Sequence, residues 1–280
     1  TGVQVLNCSR WFNTIAIVTD DTKKIDAIKE LSFVKEVKQI HNAGTSKNVS
    51  KFEMETVYPN TQAYSPAKKD RALDYGPSYK QSNQIGVTCM HAKGYQGQGM
   101  TIAVLDAGFL DVNTLPAFDS LRINNQLLGA RDFVTGDTLV FEDFAHGMMV
   151  LSCMGGNIPG KLIGTAPKAN YWLLRTEDAA TETLQEEMNW AVGAEFADSV
   201  GADIINSSLG YNTFDDSTEN HTYADMDGNT TIITKAADIA ASKGIFVTTS
   251  AGNSAGPPWF KITAPADADS ALTVGAVDSM

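Results

Sequence analysis

Apolar residues fall into short runs along most of the chain. Between the runs lie segments whose apolar positions recur every three or four residues. The runs TIAVLD (101–106), ANYWLL (169–174), ADIINSSLG (202–210), IFVTTSAGN (245–253) and ALTVGAV (271–277) predict buried strands. TETLQEEMNWAVGAEFADSVG (181–201) and TTIITKAADIAASKG (230–244) predict amphipathic helices, each closed by a glycine. Strands separated by helices imply an α/β fold with a parallel sheet covered on both faces. A further helix-like run opens at His146, in EDFAHGMMVLSCMGG (142–156).

The first 45 residues have a different pattern. TIAIVT (14–19) predicts a strand, DDTKKIDAIKELSFV (20–34) a helix begun by an Asp, and VKEVKQI (34–40) a second strand. One β-α-β unit buries too little surface to stand alone, so it is expected to pack on something else. Residues 46–74 are polar, carry Pro59 and Pro66, and read as a linker or processing segment. The expected division is a small α+β module at 1–45, the segment 46–74, and a large α/β domain at 75–280.

Charge and cysteine content narrow the function. The 280 residues carry a net charge of −12, which disfavours nucleic acid and anionic membranes as partners. No apolar run approaches the roughly 18 residues of a membrane span. Cys8, Cys89 and Cys153 have no metal-ligand spacing, and an odd count leaves at most an incomplete disulfide framework, with Cys8–Cys89 as one candidate bridge. The chain begins with Thr1 and shows no signal peptide, so an upstream segment is expected to have been removed.

In open parallel sheets, sites form beyond the carboxyl ends of the strands. Asp106, Ser207 to Gly210, and Gly252 with Asn253 occupy such positions, and His146 opens the helix after FEDFA. A nucleotide site fits poorly: GYQGQGM (94–100) precedes its strand, and no phosphate-loop lysine motif exists. A zinc helix lacks its second histidine. Cys153, about two turns beyond His146, lies roughly 10 Å away, too distant to pair with it. Acyl transfer remains: an Asp orients a His, the His deprotonates a Ser, and an amide holds the oxyanion. The order Asp106 before His146 is a known one for this constellation. The helix start is expected to disfavour the imidazolium, and Gly147 to leave room for a substrate backbone.

Six segments in order then resemble the subtilisin-like serine proteases, the subtilases. They are GQGMTIAVLDAG, HGMMV, LIGTAPKANYWLL, DIINSSLG, SAGN and LTVGAV, spread over about 180 residues. The resemblance implies a three-layer fold with a mostly parallel central sheet, incomplete at the C-terminus. It makes Asp106 the orienting acid, His146 the general base and Asn253 the oxyanion donor. Ser208, Leu209 and Gly210 would pair with an extended polypeptide substrate. Ser250, Ala251 and Gly252 would wall the primary specificity pocket, and their small size suggests an open one. The N-terminal module would be a propeptide acting in cis, and the protein secreted or held in the cell envelope.

There are departures. Ala107 and Met148 stand where the family usually has hydroxyl residues, and the bulky Tyr211 is expected to shape the cleft. The family's Gly-Thr-Ser nucleophile box is missing after Asn253. The chain's only such triplet, Gly44-Thr45-Ser46, precedes Asp106. The chain is therefore expected to be truncated before its serine and inactive alone. The alternative is a non-catalytic peptide-binding or structural module of the same fold. Catalysis of this type needs no cofactor. A structural calcium is a further expectation at Asp225, Asp227 and Asn229, in the alternating acidic stretch YADMDGN.

Overall fold

A computed structural model describes residues 2–40, 73–254 and 256–278. Segment 46–72 and the Gly44-Thr45-Ser46 triplet lie outside them. Strands β1 (Gln4–Ser9) and β2 (Thr14–Val18) pair antiparallel and lead to helix α1 (Thr22–Lys29). Helices α2 (Tyr79–Gln84) and α3 (Val87–Ala92) precede β3 (Thr101–Asp106). Helix α4 (Asp119–Ile123), β4 (Leu127–Asp132) and α5 (His146–Gly155) follow. Next come the short pair β5 (Asn157–Ile158) and β6 (Leu162–Ile163), then β7 (Asn170–Arg175) and α6 (Leu184–Ser199). The described chain closes with β8 (Ile204–Ser207), α7 (Ile232–Ser242), β9 (Phe246–Ser250) and β10 (Leu272–Val274).

Six strands form one sheet in the order β10-β9-β8-β3-β7-β4, and every pairing is parallel. Strand β3 is central and buried on both faces, as its unbroken apolar run requires. Its side chains alternate between two cores. Ala103 and Leu105 join Leu174, Trp190, Ala194, Ile205, Ile233 and Ala236 on one face. Ile102 and Val104 join Phe109, Phe118, Leu121, Leu151, Tyr171 and Leu173 on the other. Helices α6 and α7 cover the first face and α5 with α4 the second, so the layers run helix, sheet, helix. Helix α6 starts at a capping box: Glu186 Oε2 accepts the Thr183 N–H at 3.0 Å.

The five strands expected in this domain are present: β3 matches its run, β7 is shifted by one residue, and β8, β9 and β10 are shorter than theirs. Strand β4 was not anticipated, because LLGARD lacks a β-branched run. At the N-terminus the expected strand at 34–40 is absent; those residues have no regular structure. Val34, Val37 and Ile40 recur at every third position, which gives a strand no consistent face. Strand β1 takes the role of partner to β2.

The β1–β2 hairpin packs on α6 through polar anchors. Glu195 accepts the Ser9 hydroxyl at 2.9 Å and the Arg10 N–H at 2.9 Å. Asn7 Nδ2 donates to Asn189 Oδ1 at 2.8 Å. Trp11 and Phe12 add apolar contact with the core beneath. Replacing Glu195 by Ala orphans several donors at once, at a cost of about 1–3 kcal/mol. Amide exchange at Arg10 and Trp11 is expected to speed up by about tenfold or more, with β3 and β7 unchanged. Hydrogen-exchange mass spectrometry reads this, and unaltered exchange at both amides would show that Glu195 does not hold the hairpin.

Candidate active site

Asp106 ends the central strand, and none of its surface is exposed. An unpaired carboxylate there would cost several kcal/mol. Its Oδ1 accepts the Ala107 N–H at 2.7 Å and lies 2.6 Å from His146 Nδ1, the donor of that bond. His146 is the first residue of α5, with its side chain 21% exposed. The imidazole therefore bridges a buried acid and the solvent-facing side of the site.

Two glycines allow this approach. A Cβ on Gly147 would lie 2.8 Å from Asp106 Cβ and 2.5 Å from the Gly108 carbonyl oxygen. Gly147 thus serves the contact between helix and strand, not the substrate room expected of it. Gly108 has φ +149°, and a Cβ there would meet the Phe144 nitrogen at 2.6 Å. Backbone bonds from Phe109 N to Val140 O (2.8 Å) and Asp111 N to Phe141 O (3.0 Å) join the two segments.

Burial pushes the Asp106 carboxyl up; the hydrogen bond and charge of His146 and the Ala107 N–H offset this only in part. For His146, burial is the largest influence and lowers its pKa. The hydrogen bond and charge of Asp106, with the charge of Glu177, together outweigh it, and the pKa stands above the ordinary 6.5. The push of the helix start toward a neutral ring is opposed by the carboxylate at 2.6 Å, which acts in the other direction.

His146 opens onto a cleft of about 470 Å³ also lined by Ser208, Leu209, Gly210, Ser250, Gly252 and Asn253. The sheet brings these together because β8 and β9 end beside β3 on the same edge. Trp190 on α6 ties its Nε1 to Ser207 Oγ at 2.9 Å, next to the 208–210 stretch. Ser250 Oγ accepts the Gly252 N–H at 3.0 Å and shapes the turn before Asn253. Ala251 does not line the cleft; its N–H donates to Val274 O at 2.9 Å. Tyr211 is buried, 1% exposed, and its hydroxyl bonds Glu177 instead of lining the cleft.

Sequence reasoning missed Thr263. It lines the cleft, yet is only 2% exposed. A side-chain carbon on Gly210 or Gly252 would collide with its Oγ1, so the hydroxyl sits against both glycines. That oxygen is buried and has no hydrogen-bond partner. The threonine therefore packs directly against two glycines of the cleft wall. No motif marks this residue, which reaches the site through a loop.

Asp225 accepts the Thr222 N–H at 2.6 Å, and Asp227 accepts the Asn229 N–H at 2.8 Å. These carboxylates act as local caps. Among the described residues the one group of three gathered acidic, His or Cys ligand atoms is Glu177, Glu182 and Glu186. Cys8, Cys89 and Cys153 are free and exposed, so the candidate Cys8–Cys89 bridge is not formed. Among the described residues no helix is long and apolar enough to cross a membrane.

A central-strand aspartate paired to a helix-start histidine, above a cleft on a parallel sheet, defines a class of α/β proteins with an acid–base dyad. Comparison with known proteins names the family. The subtilase family, Peptidase S8, matches residues 97–280, and the Peptidase S8 propeptide domain of Bacteroidota matches residues 1–54. The chain belongs to the subtilase family. It is 30% identical over 233 residues to subtilisin E of Bacillus subtilis (strain 168), covering 78% of this chain and 54% of that protein. It is 28% identical over 230 residues to the C5a peptidase of a Streptococcus pyogenes serotype M6 strain, covering 67% of this chain and 18% of that one. The crystal structure of MycP1 with its N-terminal propeptide removed shares the fold, with a TM-score of 0.51 at 22% identity, over 71% of this chain and 63% of that one. The chain spans about half the length, 54%, of the first curated relatives it matches.

The His146 pKa tests the dyad. Because the folded value is raised, the proton on His146 stabilises the fold fully below the ordinary 6.5, and this is lost as pH rises through the folded value. An NMR titration is expected to show His146 titrating above 6.5. Asp106→Asn removes both the strongest hydrogen bond and the nearest charge, and the titration is expected to fall below 6.5. A midpoint unmoved by the substitution would contradict the pairing.

Proposed function

We propose that the protein is a serine endopeptidase of the subtilase type, and that Asp106 and His146 are its acid and base. The observation that carries this reading is the 2.6 Å bond from His146 Nδ1 to a fully buried carboxylate, at the mouth of a cleft shared with Asn253. His146 Nε2 takes the proton of a serine hydroxyl as that oxygen attacks the peptide carbonyl, then returns it to the leaving amine. Asp106 fixes the tautomer and stabilises the transient imidazolium. Asn253, exposed on the loop after β9, donates its amide to the developing oxyanion. The backbone of Ser208, Leu209 and Gly210 adds the substrate as a strand. In this reading the attacking serine lies in a part of the protein that corresponds to the uncovered share of subtilisin E, of which the chain spans 54%.

The remaining assignments follow from this reading. Residues 1–45 are the propeptide module, 46–74 the segment where processing occurs, and 75–280 the first part of the catalytic domain. The hairpin seated on α6 supports a module acting in cis. The protein works outside the cytoplasm, secreted or in the cell envelope. Catalysis uses no metal or cofactor, because the dyad and the amide donor supply the proton transfers and the charge stabilisation.

In the full-length protein, His146→Ala is expected to lower peptide hydrolysis by at least about a thousandfold and to stop self-cleavage within 46–74. The 280-residue chain alone is expected not to react with a fluorophosphonate probe. Full activity of the variant would refute the base assignment; a full-length protein with no hydrolysis at all would favour the non-catalytic module.

Thr263 adds a specificity test. In this reading its hydroxyl shortens the pocket, so short side chains are expected before the cleaved bond. Thr263→Gly is expected to raise kcat/KM for Phe relative to Ala at that position by about tenfold or more. A ratio unchanged in a peptide series would show that Thr263 does not bound the pocket.

A further inference from the structure

Arg175 is the one guanidinium buried behind the dyad among the described residues, and the proton-transfer scheme does not use it. It ends β7 in register with Asp106 and is 7% exposed. Its Nε donates to the Ala107 carbonyl oxygen at 3.1 Å, one residue beyond Asp106. Its Nη1 donates to Asp132 Oδ2 at 2.8 Å, at the end of β4, and lies 3.6 Å from Asp143 Oδ1, three residues before His146. Asp178 Oδ1 lies 3.9 Å from Nη2. One side chain therefore touches the segment carrying the acid, the segment leading to the base, and the strand end beside them.

Ala107 has no polar side chain with which to anchor itself. Its carbonyl depends on neighbours, and Arg175 supplies the donor. Asp132 in turn is fixed, because its Oδ1 accepts the N–H groups of Val134 at 2.7 Å and Thr135 at 3.0 Å. The planar fork can hold one carbonyl and two carboxylates in fixed directions at once, which the point charge of a lysine cannot do. We infer that Arg175 is a positioning residue that sets the alignment of Asp106 with His146 by clamping Ala107, Asp132 and Asp143 to one guanidinium.

The inference rests on the dyad reading above, and its test separates the two. Arg175→Lys keeps the charge and loses the fork. In the full-length protein this variant is expected to lower kcat by about ten- to a hundredfold with KM within about twofold, as misplacement of an aligned group does. By NMR, the His146 Nδ1–H resonance is expected to move upfield as the bond to Asp106 lengthens, and the His146 titration to fall. Loss of the charge alone would move that titration the other way, because removing a nearby cation favours the imidazolium. Arg175→Met gives that comparison: a titration that only rises would make Arg175 an electrostatic element and overturn positioning. If the Arg175 variants do not fold, Asp143→Asn decides, because it leaves the Arg175–Asp132 pair intact. A resonance shifted in the same direction supports the clamp, and an unchanged resonance overturns it. Wild-type protein that shows the Nδ1–H resonance but no hydrolysis would refute the enzymatic reading while leaving the clamp to the spectroscopic test.

Discussion

A carboxylate with no exposed surface, at the end of the most buried strand in the sheet, is the constraint on which the rest of the site depends. Asp106 gains nothing from water, and its burial raises its pKa. One imidazole and one backbone N–H hold it. To deliver that imidazole, α5 must start against the end of β3, closer than a side chain at position 147 or 108 would allow. The placement of His146, its raised pKa and the crossing of the 107–111 and 140–144 segments all follow from holding this one group.

Much of this was legible in the chain because it rests on local patterns. The strand TIAVLD is apolar at successive positions, and the structure divides those positions alternately between two cores. Helices 184–199 and 232–242 lie within the windows read from their spacing. Asp106, His146 and Asn253 stood out because they follow strands or open a helix, and a parallel sheet gathers such ends on one edge. The site geometry then brings His146 and Asn253 to one cleft with Asp106 behind the ring.

What was not legible depends on long-range packing. Strand β1 carries a bulge and an exposed apolar face, and it exists because β2 and α6 are there to receive it. Thr263 and Arg175 belong to no motif; each matters through groups far away in sequence. Gly147 was read from its neighbour, the histidine, when its true contact is the strand beneath. Tyr211 looked like a cleft wall and is instead a core residue hydrogen-bonded to Glu177. Local spacing shows which residues a strand end offers, but not which neighbours will close on it.

The close fit at Gly147 also divides the start of α5 into positions of unequal freedom. Position 147 has no space for even one carbon, while Met148 packs among the apolar residues of one core and Met149 is 40% exposed. Met148 stands where a hydroxyl is usual in the family, and its apolar surroundings accept a thioether readily. The histidine–glycine pair is thus fixed by geometry, Met148 is limited to side chains its core neighbours accept, and only Met149 is free toward solvent. A divergent relative is better recognised by that pair and the central strand's aspartate than by the longer motif around them.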